Sequence, residues 1–128
     1  MKTAAIFLLL AFASPTLADD HEPSELLVTV LRISEEYANV NTSVNDTTLA
    51  EHGIVHGVTF TARFRDRTVN PFLGKDYSDV PRGGWVALIE DDHKLQIAIS
   101  YGDAATDLGC TVGDTLFISL PEAVEEEE

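Results

Sequence analysis

A segment of this chain occurs twice. Ala50–Phe60 (AEHGIVHGVTF) is echoed by Thr106–Leu116 (TDLGCTVGDTL), with Gly53 matched to Gly109, Gly57 to Gly113, Thr59 to Thr115 and Phe60 to Leu116. Each copy reads as a short turn of helix, a glycine, three residues, a second glycine and then a strand. Two copies of such a unit predict a small β-barrel built from two related halves. The repeat speaks to architecture and names no reaction.

The rest of the chain is consistent with that architecture. Leu26–Ile33 is rich in large apolar and β-branched residues and reads as a first strand. Glu35–Asn39 reads as a turn and Val40–Val44 as a resumed strand, and Asn45-Asp46-Thr47 is placed to cap a short helix through Leu49–His52. Val58, Phe60, Ala62 and Phe64 alternate with Thr59, Thr61, Arg63 and Arg65, the period of a strand with one apolar face. Asp66-Arg67 turns this strand back on Thr68–Phe72, where Pro71 predicts an edge or a bulge. Gly74–Gly83 reads as a loop. Trp85–Ile89 is a nearly continuous apolar run, expected to be buried on both sides. Glu90–His93 makes a hairpin turn into a strand carrying Leu95, Ile97 and Ile99. Gly102–Leu108 forms a second short helix capped by Asp103, and Thr115–Leu120 is a last strand stopped by Pro121. The expected fold is mainly β: a small antiparallel β-barrel of about seven strands, with two short helical turns and pseudo-repeated halves.

The N-terminus reads as a targeting signal: Lys2, an uncharged run over Ala4–Ala13, a break at Ser14-Pro15, and small residues up to Ala18. The run is shorter than the ~20 residues that cross a bilayer. The domain reading is therefore a signal peptide at 1–18, cleaved before Asp19, a flexible lead-in at 19–24, a barrel domain at 25–121, and an acidic tail at 122–128. The expected product is a secreted or periplasmic domain with no membrane span. It would hold 110 of the 128 residues, enough for a single core.

The formal charge is −14, which argues against nucleic acid as a partner, because phosphate binding needs clustered Lys and Arg. The lone cysteine, Cys110, excludes an internal disulfide and reads as a small buried hydrophobe. His52 and His56 stand four apart, but the repeat matches them to Leu108 and Val112, so they read as the ends of a turn rather than zinc ligands. His21 and His93 read as solvated, and so do the acidic pairs Glu35-Glu36 and Asp91-Asp92. Arg63, Arg65 and Arg67 are expected to pair with carboxylates of the same chain. Asn41-Thr42-Ser43 and Asn45-Asp46-Thr47 fit the N-glycosylation triplet. No catalytic motif stands out.

The order of the blocks does carry a resemblance. Tyr77-Ser78-Asp79-Val80-Pro81, Trp85–Ile89, Leu95–Ile99, Gly102–Gly109 and Val112-Gly113-Asp114 resemble the C-terminal β-barrel domain of the S-adenosylmethionine hydroxide adenosyltransferase family, which includes fluorinating and chlorinating enzymes. Glu35–Asn39 resembles that family's Asp-Arg-Phe-Gly-Asn turn, and the likeness covers roughly residues 25–120. In such enzymes the site lies between an N-terminal domain of one subunit and this barrel of a neighbour in a trimer. The resemblance implies that Glu35 and Asn39 help bind the amino acid end of the ligand. It puts Tyr101 near a backbone contact to adenine. Asp91 and Asp92 stand where the family has a Ser-Ser or Ser-Arg pair that receives a carboxylate, and two anions there would repel it.

The resemblance does not extend to the domain that carries the family's water-activating residues. The expected function is an exported, non-catalytic barrel that binds a partner protein or a small molecule. The alternative is the nucleoside- or S-adenosylmethionine-binding half of a split adenosyltransferase or hydrolase. No catalytic residue, metal or resident cofactor is assigned. A homotrimer is implied by resemblance alone.

Overall fold

The alternating strand at Val58–Phe64 and its return arm organise the whole sheet. In the computed structural model, which describes residues 25–120, the chain forms β1 (Leu26–Ile33), β2 (Val40–Asn45), α1 (Asp46–Glu51), β3 (Thr61–Phe64), β4 (Arg67–Val69), β5 (Phe72–Leu73), β6 (Trp85–Ile89), β7 (Lys94–Ile99), α2 (Ala104–Leu108) and β8 (Thr115–Ser119). The signal peptide, lead-in and acidic tail expected from the sequence lie outside the described residues. One eight-stranded sheet has the order β4-β3-β8-β1-β2-β7-β6-β5.

The β3–β4 hairpin pairs Ala62 with Val69 and Phe64 with Arg67. The same ladder continues past β4. Phe60 N–H donates to the Pro71 carbonyl at 3.0 Å, Thr59 bridges Phe72, and Leu73 N–H donates to the Val58 carbonyl at 2.9 Å. The near half of this long hairpin belongs to one edge of the sheet, while β5 pairs with β6 at the other. It thus ties the two edges together and curls the sheet into a barrel-like form, leaving little open edge.

Two details differ from expectation. There are eight strands rather than about seven, and the sheet is mixed, because β5 runs parallel to β6. The first follows from Pro71 and the second from the connection after β5. Pro71 has no N–H to give the ladder, so the return arm is split into β4 and β5. The 74–84 connection, which holds a 3-10 turn at Tyr77–Asp79, then crosses over and delivers β6 in the same direction as β5.

The interior is filled from every strand. Val30, Val40, Phe60, Ile97, Leu116 and Ile118 are fully buried, each contributing roughly 1.5–3 kcal/mol relative to exposure. A smaller cluster, Val86, Leu88 and Ala98, lies under Val80 of the crossover loop. Trp85–Ile89 is therefore covered on both sides, as its composition suggests.

The two copies of the repeat adopt the same backbone. Gly53 and Gly109 have φ of 80° and 78°, and Gly57 and Gly113 both have 95°. These are left-handed conformations that disfavour a Cβ. Hydrogen bonds repeat as well. Ile54 N–H donates to Leu49 and Cys110 N–H to Ala105. Gly57 N–H donates to Leu73, and Gly113 N–H to Val30, both at 2.8 Å. The strands leading into the copies, β2 and β7, lie side by side at the centre of the sheet order.

Candidate functional site

The turn between β1 and β2 builds one wall of a cleft. Ala38 N–H donates to the Ser34 carbonyl at 2.8 Å, and Ser34 N–H to the Asn39 carbonyl at 3.0 Å. Ala38 takes a φ of 54°, and its carbonyl accepts from Ala105 N–H at 3.0 Å, which docks the turn on α2. Asn39 follows at the head of β2 and is only 4% exposed.

Strand register then sets a polar network. Asn41 lies opposite Gln96 across the β2–β7 ladder. Gln96 Nε2 donates to Asn41 Oδ1 at 3.0 Å. Gln96 Oε1 accepts from Tyr77 Oη at 2.8 Å and from Asn39 Nδ2 at 3.3 Å, and Asn39 Nδ2 also donates to Tyr77 Oη at 3.0 Å. Tyr77 comes from the crossover loop, whose own Asp76 and Asp79 side chains cap its 3-10 turn. Burial, then the Glu90 charge, pushes the Tyr77 hydroxyl above its ordinary pKa of 10.0.

Above this network is a cleft of about 680 Å³, whose lining includes Tyr37, Asn39, Tyr77, Arg82, Ser100 and Tyr101. Tyr101 follows β7 with a φ of 60° and is 78% exposed. The Arg82 guanidinium sits 4.0 Å from its ring centroid, a cation–π contact. Gly102 is required behind it, because a Cβ there would collide with the Ile99 side chain. A buried amide beside an exposed aromatic ring can orient the polar end of a ligand and stack its flat part.

Asn39 and Tyr101 are thus brought together. Glu35 is exposed in the turn, next to Glu36, which lines the cleft. Asp91 and Asp92 occupy the turn before β7, while Ser100 and Tyr101 follow its end, so six residues of strand, about 20 Å, separate them. They line neither this cleft nor a second, mainly apolar one of about 580 Å³ beside α1 that includes Leu49, Ile54, Val55 and Ile89.

Other candidates have structural partners. Arg63 pairs with Glu25 at 3.1 Å and stacks on Phe117, Arg67 pairs with Asp107, and Arg65 lies over the Phe64 ring. His52 Nδ1 lies 3.1 Å from the Thr48 carbonyl, and His93 lies 3.5 Å from Asp46. Among the described residues no group of three or more His, Cys, Asp or Glu could hold a metal ion. Cys110 is buried, which pushes its thiol pKa up, and the Asp114 charge adds to this.

Tyr77, Gln96, Asn41 and Arg82 were not singled out as site residues from the sequence. Gln96 alternates with Leu95 and Ile97 in the sequence, which by itself marks no site. The doubly buried Trp85–Ile89 run was the available signal, since a cover over β6 extends to the neighbouring face of β7.

The comparisons agree with this fold. The family model described as SAM hydroxide adenosyltransferase C-terminal domain matches residues 28–117. An uncharacterized conserved protein from Thermotoga maritima shares the fold with a TM-score of 0.71 at 20% identity, over 87% of this chain and 42% of that one. A conserved hypothetical protein from Thermus thermophilus aligns with a TM-score of 0.51 at 21% identity, over 72% of this chain and 34% of that one. This chain therefore spans less than half the length of either. Among curated proteins there is no match. With 28–117 covered by one family model and the barrel shared with these structures, the chain belongs to the SAM hydroxide adenosyltransferase C-terminal domain family.

Proposed function

We propose that this domain is an exported, non-catalytic binding module whose ligand is a small molecule of the nucleoside or S-adenosylmethionine type, held in the cleft at Asn39, Tyr77 and Tyr101. The observation that carries the reading is Asn39. It is buried in the cleft wall, and among the described residues its Oδ1 accepts no hydrogen bond. Natural cores rarely leave such an atom unpaired. The exposed Tyr101 ring beside it offers a stacking surface for a base.

A second reading gives the cleft a macromolecular complement. The matched family model is a C-terminal domain, and the structural neighbours are more than twice as long as this chain. The barrel would then supply one wall of a site completed by another domain, which brings the reacting groups. Self-association as a trimer is the arrangement the family resemblance favours.

Thermal unfolding with S-adenosylmethionine, adenosine and methionine tests the reading, because a ligand bound only to the native state must raise the midpoint. At least one should do so. Tyr101→Ala should weaken that ligand about threefold to tenfold and leave the ligand-free midpoint unchanged, since the ring is largely exposed. No shift with any of the three would reject the reading.

A further inference from the structure

We infer that the apolar cleft beside α1 is a docking slot for a basic segment of a partner protein, one with large apolar side chains at its centre and Lys or Arg around them. This site is separate from the cleft at Asn39, and the inference does not depend on the ligand proposed there. The slot follows from unequal strand lengths. β5 pairs with β6 only at Phe72–Val86 and Leu73–Ala87, whereas β6 runs on to Ile89. Among the described residues no strand flanks Ile89 on the β5 side. The cleft of about 580 Å³ takes Leu73 and Ile89 into its lining, with Leu49 of α1 and Ile54 of the loop after it. Val55 adds an apolar side chain that is 47% exposed.

The charges around the slot have one sign. Asp46 and Glu51 line it, and no Lys or Arg does. Ile89 leads directly into Glu90-Asp91-Asp92, and that turn is docked on α1, because Asp46 N–H donates to the His93 carbonyl at 3.0 Å. Residues 46–51 and 89–94 thus hold five carboxylates against one fixed cation, Lys94. In the second copy of the repeat the counterpart of Glu51 is Asp107, which Arg67 neutralises. Among the described residues Glu51 has no such ion pair, so its charge stays open to an outside partner.

Charge also decides between occupants. A second copy of this chain carries −14 and is repelled. The chain's own C-terminal sequence has the same sign. Leu120 lies against Gly53, the residue before Ile54, and Glu122 and Glu125–Glu128 follow it. A basic segment is attracted by this rim, and the slot lets its central apolar side chains leave water. Asp91 and Asp92 thereby take a role that the cleft at Asn39, a strand length away, cannot give them.

The test titrates three end-blocked hexapeptides, KKLLKK, KKSSKK and EELLEE, into the full ¹⁵N-labelled chain. KKLLKK should give saturable amide shifts at 46–56, 73 and 89–93, and should bind at least about tenfold more tightly than either of the others. Two variants change exposed side chains and should keep the fold. Glu51→Gln combined with Asp91→Asn should weaken KKLLKK about threefold to tenfold, and Val55→Lys should remove the shifts. No binding of KKLLKK at these residues, equal binding of KKSSKK or of EELLEE, or unchanged affinity in both variants overturns the inference. S-adenosylmethionine titrated in parallel is read at 36–39, 76–82 and 99–103, so the two sites succeed or fail separately.

Discussion

Asn39 and Tyr77 hold opposite sides of one half-buried hydrogen bond. Removing the amide in Asn39→Ala leaves Tyr77 and Gln96 with fewer partners and should cost about 1–3 kcal/mol of stability in urea unfolding. Tyr77→Phe should cost less, because Asn39 Nδ2 and Gln96 Oε1 still face one another at 3.3 Å. The hydroxyl also gives stability a pH dependence. Its folded pKa lies above the ordinary 10.0, so the folded state holds the proton more tightly. The stabilisation is complete below pH 10.0 and is lost as pH rises through the folded value. Tyr77→Phe should flatten unfolding curves in that alkaline window. Cys110 behaves as the sequence suggested, as a small buried hydrophobe, and its thiol should react with a disulfide reagent only once the chain unfolds. The two glycosylation triplets carry asparagines with structural work already assigned. Asn41 belongs to the polar network, and Asn45 Oδ1 accepts from Thr48 N–H at 2.9 Å to cap α1.

The repeat makes a prediction at the scale of the element. Gly57 and Gly113 share a φ of 95°, and a Cβ at either would meet nothing within 4 Å. Gly57→Ala and Gly113→Ala should therefore lose similar amounts, about 1–2 kcal/mol each, from backbone strain alone. Gly102→Ala should be worse, because its Cβ collides with Ile99. Strand and helix positions were largely legible in the chain. The β1 and β6 runs, both helix caps and the 58–73 hairpin all rest on local patterns: alternation, capping residues, turn residues. What the chain did not display was long-range. Whether β5 meets β6 in parallel depends on where a crossover loop returns. Whether Gln96 sees water depends on that loop folding over it. The resemblance named Asn39 and Tyr101, which line one cleft, whereas Tyr77 reaches that cleft only because the loop carries it there. The resemblance groups Asp91 and Asp92 with Asn39 and Tyr101, and β7 places that pair at its other end.

For the whole molecule, the sheet's curl joins its edges through one hairpin, and the cleft at Asn39 and Tyr101 is lined in part by the crossover loop. Export and assembly belong to this scale. Purified from its native host, the protein should begin at Asp19, which N-terminal sequencing reads directly. Light scattering should give three times the monomer mass if the family's trimeric arrangement holds in this chain. Neither result bears as directly on function as mapping the ligand. The decisive measurement is a backbone amide titration of the full chain with S-adenosylmethionine. The account predicts saturable shifts gathered at 36–39, 76–82 and 99–103, weakened in Tyr101→Ala. Shifts centred on the second cleft beside α1, or none at saturating ligand, would contradict it.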